Sequence, residues 1–388
     1  MSKWEMVKLG EVCELIGGYA FKSDLFIQNK IPVIRIGNIT NNGVIVDNKI
    51  CYDESFWNTN KRFRILKNDI LMAMSGATIG KLAINKSDEK MLINQRVLCL
   101  RPLDNVNGFY IFYVMSSDSF KKYILEIANG CAQPNISAEQ TSKFTVLLPP
   151  LEEQERIVDE LDKINELIAK RKMQIEKLDL LIKSKFTEMF GDPVTNPKRW
   201  ENSTIGESCF SVKDGPHVSP KYVLSGIPFI SVRNIVNGKI CFEDAKYITE
   251  EDYYEYTKKS KPEKGDLLYS KGGTTGIAKV IDTDVVFCNW VHLAVLKFEK
   301  NILNPIFFEN MLNSSYCYQQ SQQLTKGIAN RDLVLSAMKQ IKIIVPNLIL
   351  QTQFAEFVEK VEQTKEQMQK GLEQLETLYK QRMQEYFE

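Results

Sequence analysis

Two forty-residue stretches, 197 positions apart, constrain this chain more than any other feature. The first, Leu151–Phe190, carries Ile157, Leu161, Ile164, Ile168, Ile175, Leu178 and Ile182 in steps of mostly four and three, the heptad seam of a helix that lies along another helix. Pro149 and Pro150 stop what precedes it, Glu152, Glu153 and Glu155 suit its positive end, and Gly191 with Pro193 ends it. At 1.5 Å per residue it makes a rod of about 60 Å, too long to bury in one small core. The second stretch, Leu348–Phe387, supplies the partner, with a seam of Phe354, Val358, Val361, Lys365, Met368, Leu372, Leu375 and Tyr379. Pro346, Gln351 and Phe387 stand where Pro149, Gln154 and Phe190 stand in the first copy. Connectivity makes the pair antiparallel.

The segments before the rods repeat as well. Trp4-Glu5 is matched by Trp200-Glu201, residues 31–39 by 227–235, Asp69-Ile70-Leu71 by Asp266-Leu267-Leu268, and Gly130-Cys131-Ala132 by Gly327-Ile328-Ala329. Short β-branched runs at 33–36, 70–74, 97–100, 229–232, 267–269 and 291–296 read as strands. The runs 109–115 and 305–312 read as helices. The expected fold class is α+β, with two globular α/β domains at 1–150 and 191–347. They are separated by a pair of long antiparallel coiled-coil helices at 151–190 and 348–388, and an approximate twofold relates the halves.

The net charge of +1 conceals a division. The two helical segments hold 18 acidic and 13 basic side chains, which leaves the globular parts at +6. Such a charge is modest for a nucleic-acid binder, so partners would supply much of any phosphate affinity. Eight scattered cysteines without C-x-x-C spacing point to free thiols and no metal site. Neither a long apolar run nor a signal-like N-terminus is found, so a cytoplasmic protein is expected.

Fragments that imitate enzyme motifs do not survive inspection. The run from Gly76 to Lys81 is one residue short of a phosphate-binding loop, and Leu82 stands where magnesium needs a hydroxyl. Asn304-Pro305-Ile306-Phe307 resembles a methyltransferase loop but lacks its second proline, and reads better as the first turn of a helix. The two histidines, His217 and His292, belong to separate segments and assemble no triad. No catalytic residue and no metal ligand is expected.

The polar loops suit recognition. In the first domain they present Lys22, Ser23, Arg35, Asn38, Ser75, Gly76, Thr78, Lys81, Asn94, Gln95 and Arg96. In the second they present Lys213, His217, Arg233, Asn234, Lys271, Gly272, Thr274, Thr275, Asn289, Trp290, Asn330 and Arg331. Arginine pairs with guanine, Asn and Gln with adenine, and small-residue turns let backbone amides reach phosphate. Any one such residue is commonly a solvated turn; recurrence at matched places singles out the set.

Gly17-Gly18-Tyr19-Ala20-Phe21-Lys22-Ser23, Asp69-Ile70-Leu71, Asn94-Gln95-Arg96, Ile136-Ser137 and the run from Leu148 to Ile157 resemble the specificity subunit of type I restriction–modification systems. The resemblance spans essentially the whole chain. In the second half Asn347 replaces the second proline, and Ile349 and Leu350 replace the acids. The resemblance implies a non-enzymatic reader of double-stranded DNA, in which each recognition domain takes one half of a bipartite asymmetric target and the helices set the unread spacer. It also implies two modification (methyltransferase) subunits and restriction (translocase/endonuclease) subunits as partners. S-adenosylmethionine, ATP and magnesium would then sit on those partners and none on this chain. The alternative is a coiled-coil scaffold with two ligand-binding heads and no role in DNA.

Overall fold

The sequence repeat becomes a repeat of hydrogen-bonded structure. The computed structural model describes residues 4–40, 43–128, 135–236, 238–327 and 331–388. These fall into two compact units, one running to Lys172 and including Lys370–Glu388, the other Met173–Gln369. The unit boundaries cut through both long helices, because each half-helix buries its seam in the core of the domain beside it.

In the first unit, Glu5–Lys8 pairs antiparallel with Thr145–Leu148. A four-stranded antiparallel sheet follows the order Cys13–Gly17, Val97–Pro102, Ile70–Ala73, Leu82–Ile84. A second sheet holds Ile31–Ile34 parallel to Met91–Ile93, with Cys51–Tyr52 and Arg64–Ile65 at its edges. The second unit repeats this plan. Glu201–Thr204 pairs with Lys342–Val345, and the large sheet runs Cys209–Asp214, Leu293–Phe298, Leu267–Ser270, Ala278–Val280. Its smaller sheet holds Ile227–Ile230 parallel to Cys288–Asn289, with Lys246–Ile248 at the edge. The strand runs read from sequence are present in their main parts, but Ile36 and Val232 have already turned into short 3₁₀ segments, Met74 lies past the end of its strand, and Val291 and His292 form the turn that precedes Leu293–Phe298.

Each domain carries two matched helices on its large sheet. Gly108–Ser116 is capped by Asn107, whose Oδ1 accepts from the amides of Phe109 and Tyr110. Pro305–Leu312 is capped in the same way by Asn304. The Asn304-Pro305 pair is thus a helix cap with proline in the first turn, which disposes of the methyltransferase reading.

The central helix is continuous over Leu151–Phe190 and the C-terminal helix over Leu348–Phe387. In the first unit Ile157 and Leu161 are fully buried in the domain core with Met383 and Tyr386. Ile164 is buried too, and Ile168 is half-buried. Lys172 pairs with Glu376 at 2.8 Å, and Asn165 donates to the Tyr113 hydroxyl at 3.1 Å. In the second unit Ile182, Phe186 and Phe190 pack against Phe354, Val358 and Val361. Both sets of contacts run antiparallel. Leu372 is buried, whereas Ile175, Leu178, Met368, Leu375 and Tyr379 are half-buried, as expected where only two helices share a seam. Lys365 at its seam position holds Asp179 at 2.5 Å.

Two glutamines tie helix to domain. The buried Gln154 accepts from the Asn107 amide at 2.8 Å and donates to the Pro149 carbonyl at 2.8 Å. Gln351 accepts from the Asn304 amide at 2.8 Å and donates to Pro346 O at 2.7 Å and Ile302 O at 3.0 Å. Where the second half departs from Pro-Pro, Asn347 accepts from the Leu350 amide at 3.0 Å and caps the helix itself. The aspartate of the Asp-Ile-Leu motif is also internal: Asp69 takes the Arg101 guanidinium at 2.7 and 3.0 Å and the Leu66 amide at 2.7 Å. Asp266 holds Lys297 at 2.5 Å in the matching place.

Among the described residues there is no disulfide, no grouping of side chains able to hold a metal ion, and no helix long and apolar enough to cross a membrane.

Candidate nucleic-acid interface

Strand ends assemble the loops of the first domain. The Asn94 amide donates to Ile34 O at 3.0 Å, the Tyr19 amide to Ile93 O at 3.0 Å, and the Gln95 amide to Tyr19 O at 2.8 Å. The Met74 amide donates to Arg96 O at 3.0 Å, and that of Ile136 to Met74 O at 2.9 Å. Gly18 has to be glycine here, since a Cβ would lie 2.0 Å from the Asn94 carbonyl oxygen. Tyr19 rests on Phe21, Phe56 and Phe63 with ring centroids 5.0–5.2 Å apart, so an aromatic cluster stiffens the platform.

This frame brings Arg35, Ser75, Asn94, Gln95 and Arg96 to one group of strand ends. Arg35, Gln95, Arg96, Lys22, Ser23 and Gly76 are exposed, and Asn94, Ser75, Thr78 and Lys81 are half-buried. Gly76 and Gly80 adopt left-handed φ of +74° and +76°, which shapes the tight turn between Ser75 and Lys81. The hydroxyl oxygens of Ser75 and Thr78 are buried in that turn without a hydrogen-bond partner among the described residues. Asn38 belongs elsewhere. It is buried, accepts from the Arg35 amide at 3.0 Å and donates to Ile45 O at 2.7 Å, so it shapes the turn that presents Arg35 and is turned away from the surface.

The second domain reproduces the frame with different side chains. The Trp290 amide donates to Ile230 O at 2.9 Å, the Lys271 amide to His292 O at 2.8 Å, and the Leu333 amide to Lys271 O at 2.7 Å. Trp290 therefore occupies the place of Asn94, His292 that of Arg96, and Lys271 that of Met74. Gly215 repeats Gly18, with a Cβ that would lie 2.0 Å from Asn289 O. Asn234 repeats Asn38, buried, accepting from the Ser231 amide at 2.9 Å and donating to Cys241 O at 2.9 Å. Asn289 is one residue further back than the loop: it lies in the strand, 1% exposed, and donates to Leu293 O at 2.8 Å. Asn38, Asn234 and Asn289 are supports for the loops, not surface readers.

Other expected residues divide between surface and interior. Lys213, His217, Arg233, Thr274 and Arg331 are exposed, and Trp290 is half-buried. Arg233 donates to Asp244 O at 3.2 Å, and Arg331 to the Gln322 side chain. Thr275 and Gly272 are buried, with the Thr275 hydroxyl 3.0 Å from that of Thr325. Asn330 lies outside the described residues, as do residues 130–132 and 328–329 of the repeat.

Sequence reading missed the charge network at the centre of this domain. Asp214, only 4% exposed, holds Lys259 at 2.6 Å, His217 at 3.1 Å and Lys271 at 3.7 Å. Burial pushes its carboxyl pKa up, but the Lys259 hydrogen bond and the charges of Lys259, Lys271 and His217 more than offset this and leave it below the usual carboxylate value. Lys271 reaches on to Asp332 at 3.1 Å. Nothing in the sequence announces the network, because its members come from four separate segments.

Comparison with known proteins names the architecture. The family described as "Type I restriction modification DNA specificity domain" matches residues 1–177 and again 197–377. The MjaVIII specificity subunit of Methanocaldococcus jannaschii is 24% identical over 396 aligned positions, covering 96% of this chain and 89% of that protein. The EcoBI specificity subunit of Escherichia coli is 23% identical, covering 93% of this chain and 79% of its own length. Among solved structures, a type I restriction-modification S subunit from M. genitalium superposes with a TM-score of 0.60 at 16% identity, covering 100% of this chain and 96% of that one. A second, described as bearing on complex assembly and conformational transition of the type I system, gives 0.58 at 18% identity and covers 99% and 97%. With both halves matched, the chain belongs to the type I restriction–modification DNA specificity family, as a non-catalytic subunit that recognises DNA sequence.

Proposed function

We propose that each domain reads one half of a bipartite DNA target through the loops gathered at its strand ends, and that the different side chains on matching frames make the two half-sites different. The observation that carries this is the paired frame itself. The same backbone hydrogen bonds hold Asn94 and Arg96 in one domain and Trp290 and His292 in the other. A scaffold with inert heads has no need of a repeated loop platform that presents different residues in each head.

Within the first domain Arg35 and Arg96, exposed and in no ion pair among the described residues, are the base-reading candidates, with Gln95 and Asn94 beside them. The Ser75–Lys81 turn and Lys22 suit phosphate, which fixes position without specifying sequence. In the second domain Trp290, His292, His217, Thr274, Arg233 and Arg331 are the exposed or half-buried groups of the corresponding surface. Two modification subunits gripping the paired helices, and restriction subunits joining that core, complete the proposed assembly. S-adenosylmethionine, ATP and magnesium belong to those partners, and the cytoplasm is the proposed compartment.

The test is a footprint on duplex DNA with the complex that copurifies with this chain. Two protected patches separated by an unprotected gap are expected; an unprotected duplex would favour the scaffold.

A further inference from the structure

We infer that Asp332 is a specificity-determining residue of the second domain, which reads an exocyclic amino group, cytosine N4 or adenine N6, while Lys271 and Asp214 are positioning residues that aim it. The inference rests on the DNA-reading role proposed above and deepens it.

Asp332 sits on the loop platform. Its backbone bridges Gly272 on one side and Lys326 on the other, and the neighbouring Arg331 carbonyl accepts from the Gly273 amide at 3.0 Å. Its side chain is 45% exposed, whereas that of Lys271 is 7% exposed. Lys271 is thus enclosed and cannot itself reach a base. Its ammonium lies between two carboxylates, 3.1 Å from Asp332 Oδ1 and 3.7 Å from Asp214 Oδ2. Asp214 is in turn enclosed, 4% exposed, with Lys259 on Oδ1 and His217 on Oδ2. Of the acceptors in this chain of contacts, the half-exposed one is the Asp332 carboxylate, whose Oδ2 accepts no hydrogen bond among the described residues.

An ionised carboxylate can accept but cannot donate. In the major groove the donors on base edges are cytosine N4–H₂ and adenine N6–H₂, so an acceptor-only group selects between base pairs where Asn or Ser would not. A bare aspartate would be repelled by phosphates. Here two carboxylates face two lysines, so the group approaches DNA as part of a neutral network, and the clamp holds it in a single direction.

The first domain supplies the comparison. Its hydrogen-bond frame places Gly17, Met74 and Asn135 at the positions of Asp214, Lys271 and Asp332. The fold therefore accommodates neutral residues at all three, and the ionic version belongs to what the second domain reads.

The experiment maps the methylated target, and measures relative binding to single-base variants of it, for the complete modification complex carrying Asp332→Asn, Lys271→Met or Lys271→Arg. Asp332→Asn should relax selectivity about tenfold or more at one position of one half-site and leave the other half-site unchanged. A relaxed C·G position identifies cytosine as the partner, and a relaxed A·T position identifies adenine. Lys271→Met should relax the same position less, and Lys271→Arg should restore it, which a purely structural role would not do. Unchanged selectivity with Asp332→Asn overturns the inference. So does a uniform loss of affinity for every sequence, which marks a structural or phosphate role. If the unsubstituted complex binds no duplex at all, it is the DNA-reading role that fails.

Discussion

Replacing Gln351 by Leu should lower the stability of the second unit by about 4 kcal/mol, seen as an early unfolding transition in thermal or urea melts. Leucine fills much of the same volume but strands the Asn304 amide and the Pro346 and Ile302 carbonyls in a site where Gln351 is fully buried. Each stranded group costs about 1–3 kcal/mol, and some relaxation toward water brings the total below the simple sum. Gln154→Leu should cost less, about 3 kcal/mol, because only the Asn107 amide and the Pro149 carbonyl lose their partner. Equal melts for both variants and the parent would show that these glutamines do not join helix to domain.

Removing both guanidinium groups, Arg35→Ala with Arg96→Ala, should weaken binding of the assembled complex to its target about a hundredfold or more. A well-made arginine contact to a base is worth about 1–3 kcal/mol, so two of them reach that range. Both side chains are exposed and neither joins an ion pair among the described residues, so the folded chain gives up little when they are lost. Loss confined to the correct target sequence marks base reading. An equal loss on all sequences, with a salt slope smaller by about 0.9 per residue, marks phosphate contact. Asn38→Ala gives a contrast: it should lower the melting point of the first unit and reach DNA only through the Arg35 turn, because both ends of the Asn38 amide are engaged.

The helices and the repeat were legible because periodicity and punctuation are local signals. The seam from Ile157 to Ile182, the helix Pro305–Leu312 behind Asn304-Pro305, and the strand runs each declare themselves within one continuous stretch of chain. The loops were legible as a set and unreliable singly. Asn38 and Arg35 look equally suited to DNA in sequence, yet a turn three residues long consumes the amide and leaves the guanidinium free. Asn289 and Trp290 are adjacent, and strand register alone decides that the first points inward. The Asp214–Lys271–Asp332 network was out of reach for a different reason. It forms only when the strand end at Asp214 and the loops at Lys271 and Asp332 are folded together, and long-range pairing of that kind has no periodic trace.

The central claim is that the two domains read separately. Exchanging the first globular domain, residues 1–150, for that of a relative and mapping the methylated sequence tests it most directly. The result expected is a motif with one half replaced and the other half intact. A motif in which both halves change, or neither does, would contradict it.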